Sequence, residues 1–149
     1  WYLLGLIHKH RVITTYALDR IIHTKTAPGI DYITNDIFDP IVYFKNTIGI
    51  TYHGESPLRV TLFVDNIFVP YLLTLPLHSS QSLIKRTDEG ALFQLEVIHN
   101  PEFETLILGY AGLISIVGPE ELRIHFINKL DQAKKRYKEN DYFRESMPE

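Results

Sequence analysis

Near the amino terminus, Arg11 and Arg20 could offer guanidinium donors to a ligand, and Tyr2 a ring to stack on. A guanidinium presents a planar fork of N–H groups that matches phosphate or carboxylate oxygens, and a phenol ring accepts any flat base on its face. These residues lie within 1–25, where Lys9, Arg11, Arg20 and Lys25 are opposed by Asp19 alone, in a chain whose net charge is −3. An anion would be guided to this end. The acidic remainder argues against a main surface built to grip duplex DNA, which needs a clear excess of Lys and Arg. The plainer reading of Arg20 is an ion pair within the fold.

Other reactive types are present but lack the company that chemistry needs. Of the seven histidines, His8 and His10 would share one strand face, yet no nearby carboxylate or cysteine completes a set of three or four ligands. His78 stands before Ser79 and Ser80, but no glycine-flanked elbow surrounds either hydroxyl, so His78–Gln81 reads as a polar connection whose side chains satisfy backbone groups. Glu120 and Glu121 read as first-turn helix acids. The chain has no cysteine, which excludes disulfides, thiolate zinc sites and a cysteine nucleophile, and fits a reducing cytoplasm. No enzymatic activity, no metal and no cofactor are expected.

At 149 residues, 45% hydrophobic and 22% charged, the chain has the proportions of a globular protein with one ordinary domain or two small ones. Its apolar start, Trp1 to Ile7, is far shorter than the roughly 18 residues of a membrane span, so no membrane is expected as partner. Residues 1–25 are rich in β-branched and aromatic types and read as a hairpin followed by a third strand. The Pro- and Gly-rich stretch 26–57 reads as a connector with one short helix, capped by Asp39 and started by Pro40, that brings Val42, Tyr43 and Phe44 to a packing surface.

From Leu58 the pattern becomes regular. Leu58, Val60, Leu62 and Val64 alternate with Arg59, Thr61, Phe63 and Asp65, which predicts a strand with one buried face. A helix follows from Val69 with Pro70 in its first turn, then strands at 81–86 and 91–98 joined by Asp88-Glu89-Gly90. Asn100 as N-cap, Pro101 at N1 and Phe103, Leu106, Ile107 and Tyr110 at helical spacing predict the next helix, with a strand at 113–117 after Gly112. The order is that of the ferredoxin-like βαββαβ fold. A final helix opens at 119–121, with Leu122, Phe126, Leu130, Ala133 and Tyr137 in one apolar stripe. The chain is therefore expected to be α+β.

Several landmarks occur together: Trp1-Tyr2-Leu3, then Tyr16-Ala17-Leu18-Asp19-Arg20-Ile21, Phe38-Asp39-Pro40, Ile48-Gly49-Ile50, Pro76 to Gln81, and Gly118-Pro119-Glu120-Glu121-Leu122-Arg123. This succession resembles bacterial transcription regulators of the WYL family over nearly the whole chain. The resemblance implies a partial Sm-like β-barrel at 1–25, the connector 26–57, a ferredoxin-like extension at 58–138 with an added helix, and a tail at 139–149. It also implies a cytoplasmic homodimer that senses nucleic acid or a nucleotide through Tyr2, Arg11 and Arg20. Operator DNA would be bound only by an N-terminal helix-turn-helix that these residues do not include, and because Trp1 reads as mid-strand the sequence is expected to be a piece of something longer. Where the family often has basic residues this chain has Thr14 and Ala17, and Arg20 is the position that matches. The alternative is a small-molecule-binding regulatory module without nucleic-acid contact, since fold alone does not decide function.

Overall fold

The computed structural model describes residues 1–7, 9–10, 12–31, 35, 38–52 and 54–139. It is a mixed α+β chain with a two-stranded and a four-stranded antiparallel sheet, interleaved with helices and ending in one further helix.

The amino-terminal sheet is a hairpin of β1 (Tyr2–Ile7) and β2 (Val12–Ala17), in register from Tyr2 opposite Ala17 to Ile7 opposite Val12. The expected third strand does not form: Leu18–Arg20 is a single 3-10 turn, and residues 21–25 belong to no strand. The reason is the ladder. The Leu18 N–H closes on the Trp1 carbonyl at 3.0 Å as the last rung beside Tyr2–Ala17, and the chain then leaves the sheet in the 3-10 turn without folding back along either outer edge. The hairpin stays open to solvent, with Trp1, Tyr2, Leu3 and Val12 all more than half exposed.

In the connector, α1 (Pro40–Tyr43) starts as expected, the Asp39 carboxylate accepting from the Ile41 and Val42 N–H groups at 2.8 and 3.4 Å. Tyr43 and Phe44 pack, but Val42 points to solvent, because a single helical turn has only one inward face. Beyond it lie β3 (Leu58–Asp65), α2 (Val69–Thr74), β4 (Ser82–Arg86), β5 (Gly90–Val97), α3 (Pro101–Gly109), β6 (Ile114–Gly118) and α4 (Glu120–Glu139). The strands lie in the order β4-β5-β3-β6, all antiparallel. The alternation read in β3 is real: Val60, Leu62 and Val64 are buried with Phe93 and Leu95 of β5 and Ile114 and Ile116 of β6. Leu58, at the open end of the strand, is exposed.

All three long helices cover this one face, contributing Val69 and Leu72, Phe103 and Ile107, and Leu122 and Phe126. Leu106 and Tyr110 of the α3 stripe are only half-buried. The stripe of α4 is used for its first two residues alone, and Leu130, Ala133 and Tyr137 are exposed. Length explains this: at about 1.5 Å per residue the helix runs about 30 Å, whereas β6, at about 3.3 Å per residue, offers about 16 Å of sheet to lie on. No helix among the described residues is long and apolar enough to cross a membrane.

Candidate functional site

A groove of about 890 Å³ lies between the hairpin and the connector. On the hairpin side it is lined by Tyr2, Tyr16 and Arg20, on the other by Tyr43, Thr51 and Tyr52. Two of the three residues expected to meet a ligand, Tyr2 and Arg20, thus line one concavity, both at the open end of the hairpin where Tyr2 pairs with Ala17. The third, Arg11, lies outside the described residues. Because Asp19 and Arg20 sit in a 3-10 turn and not in a strand, they do not alternate between sheet faces as expected. Arg20 lines the groove, and no salt bridge engages its guanidinium among the described residues.

The aromatic wall is fixed by ring contacts. Tyr43 meets Tyr52 edge to face at 4.5 Å and 85°, and the rings of Phe38 and Phe44 each lie 4.9 Å from it. Burial lifts the Tyr43 phenol above its ordinary pKa, with the neighbouring Tyr52 adding to the effect, so it stays a neutral hydrogen-bond donor over the physiological range.

The wall is held in place from far along the chain. The Asn100 amide accepts from the Phe103 N–H at 2.8 Å, capping α3, while its Nδ2 donates to the carbonyls of Ile48 and Thr51 at 2.8 and 2.9 Å. Glu102 Oε1 accepts from the Thr51 hydroxyl at 2.7 Å and from the Ile50 N–H at 3.4 Å. Burial alone would raise the Glu102 pKa, but these hydrogen bonds outweigh it and hold the carboxyl below its ordinary value. Gly49 permits the close approach: its φ is +77°, and a Cβ there would stand 2.6 Å from Glu102 Cγ.

The polar connection at His78–Gln81 does what its composition suggested. The Ser80 hydroxyl accepts from the Glu96 N–H at 2.8 Å and lies 2.7 Å from His78 Nδ1, and the Gln81 side chain ties the Leu77 N–H to the Leu72 carbonyl. Burial lowers the His78 pKa, partly offset by a hydrogen bond to the Lys45 backbone.

Sequence reasoning missed Tyr16, Tyr43, Thr51 and Tyr52 as groove residues. It also missed a second cluster, in which His99, Glu104, His125 and Lys129 converge at the junction of α3 and α4. The available signal was weak: His99 and Glu104 flank the α3 cap, and His125 and Lys129 lie one turn apart on α4, but only the packing of the two helices joins the pairs. No protein-family model matches the chain, and no curated protein matches it.

Proposed function

We propose that the chain is the ligand-sensing and dimerising portion of a transcription regulator resembling the WYL family, with a nucleotide or nucleic acid as effector in the groove. The carrying observation is the convergence of Arg20 and Tyr2 on one cavity opposite the Tyr43–Tyr52 pair. A guanidinium clear of salt-bridge partners among the described residues suits a phosphate, and the rings suit a base. In this reading the hairpin is part of an Sm-like barrel. The βαββαβ order and the strand order β4-β5-β3-β6 support a ferredoxin-like extension. The exposed apolar hairpin supports a homodimer, operator DNA belongs to a separate N-terminal domain, and the protein works in the cytoplasm without catalysing a reaction.

The clamp of Asn100 and Glu102 gives such an effector a route into the rest of the protein. A ligand that shifts Thr51 or Tyr52 pulls on the first turn of α3, the helix that packs against α4. The test is fluorescence anisotropy with a labelled single-stranded oligonucleotide, alongside calorimetry with a mononucleotide, at several salt concentrations. Arg20→Ala should weaken oligonucleotide binding and flatten its salt dependence, because one phosphate fewer is neutralised. Arg20→Lys should restore part of the affinity, keeping the charge but losing the fork. Unchanged affinity and salt slope in a folded Arg20→Ala variant would refute the assignment. Binding of small aromatic metabolites with no salt dependence would favour the alternative, a metabolite-sensing module.

A further inference from the structure

We propose that His99, Glu104 and His125 form a binding site for a divalent transition-metal ion of the zinc class, with Lys129 competing for the same carboxylate. The Nε2 atoms of His99 and His125 lie 2.7 and 2.6 Å from a single oxygen, Glu104 Oε1, and all three donor atoms fall within 4.8 Å of one another. The two imidazoles arrive from different elements, one from the loop before α3 and one from α4, with ring centroids 5.0 Å apart and planes at 79°. Two ring nitrogens from different elements therefore converge on one carboxylate oxygen.

A helix-docking ion pair between α3 and α4 would need only Lys129, which contacts the other carboxylate oxygen, Oε2. The two histidines exceed that need. Zinc bonds of about 2.0–2.2 Å place tetrahedral ligands roughly 3.3–3.5 Å apart, so each ring nitrogen would draw back from Glu104 Oε1 by less than about 1 Å, while the two ring nitrogens, within 4.8 Å of each other, would come to the same spacing. The rings are backed by apolar neighbours that fix their planes: Phe103 lies 6.3 Å from His99, and Phe126 lies 5.9 Å from His125. Both phenylalanines are buried, while the histidine side chains are about one-third exposed, so an ion can reach them without unfolding the chain.

The donor set selects the ion. Two imidazoles and one carboxylate suit zinc, cobalt or nickel, whereas calcium and magnesium take oxygen ligands. Three protein ligands leave a fourth position for water, the pattern of an exchangeable ion and not of a closed structural site. On binding, each ring offers the Nε2 lone pair and carries its proton on Nδ1, and Lys129 gives up its contact with Glu104.

The experiment titrates Zn2+ into the isotope-labelled protein and follows the histidine ring signals by NMR, with Co2+ absorption as a second readout. The expected result is saturable Zn2+ binding that moves the His99 and His125 signals together. His125→Gln, which keeps a hydrogen-bond donor for Glu104, should weaken it by roughly 10-fold or more, since even an outer-shell partner is worth that much. Lys129→Ala should tighten it. The wild-type NMR titration needs no variant, so a folding defect in any substitution does not protect the proposal. Shifts confined to the other histidines would overturn it, as would Ca2+ binding as tight as Zn2+ or an affinity indifferent to His125→Gln. Unchanged affinity in Lys129→Ala would overturn the competition.

Discussion

Substituting Asn100 by Asp separates the two jobs its side chain does. Asn100 is 5% exposed and makes three hydrogen bonds, one as an acceptor at the α3 cap and two as a donor to the connector carbonyls of Ile48 and Thr51. Asn100→Ala loses all three: about 1 kcal/mol for the cap and about 1 kcal/mol for each neutral hydrogen bond, or about 3 kcal/mol together. Asp keeps the cap and gains up to roughly 0.5 kcal/mol from the helix dipole. It has no N–H to give, however, and sets a carboxylate oxygen against two carbonyls, so Asn100→Asp should still lose about 1.5–2 kcal/mol. A cap-only account predicts that Asp is as good as Asn. Urea denaturation followed by circular dichroism at neutral pH decides between them. An Asn100→Asp protein within about 0.5 kcal/mol of wild type would mean that the connector carbonyls gain nothing from the clamp.

Two further outcomes follow from the same structure. The depressed pKa of Glu102 lies below its unfolded value of about 4.3, so its contribution is present above that value and is lost as pH falls through the folded pKa. Glu102→Gln should therefore flatten the acid limb of the stability profile, and an unaltered limb would contradict the assignment. The exposed apolar hairpin should drive self-association, visible as concentration-dependent sedimentation that Leu3→Lys reduces. A monomer at all concentrations would count against the dimer.

Local signals carried the βαββαβ half of the chain. α3 announces itself through Asn100, Pro101 and its acidic first turn, and β3 through the alternation at Val60, Leu62 and Val64, because each element's cue lies within a few residues of its start. Periodicity marks which side of α4 is apolar but not how much sheet lies beneath it, so the stripe runs on to Leu130 and Tyr137, which stay exposed. The groove was half legible. Arg20 and Tyr2 stood out by charge and type, but Tyr43 and Tyr52 join them only because Asn100 and Glu102, about fifty residues on, hold the connector down. Glu104 was hidden by its own plausibility: as a first-turn acid it needs no partner, and its histidines arrive from outside that turn.

The attachment of the groove's aromatic wall also sets an order on folding. The hairpin closes through neighbours and can form on the microsecond scale of β-hairpin formation, whereas Ile48 and Thr51 wait for a helix cap 52 and 49 residues away. Such long loop closures come late, since their entropy must be met before the contacts form. The cavity is thus assembled after the hairpin that forms one of its walls. A compound that fits it recognises finished molecules, and by mass action it protects them from the openings through which proteases enter.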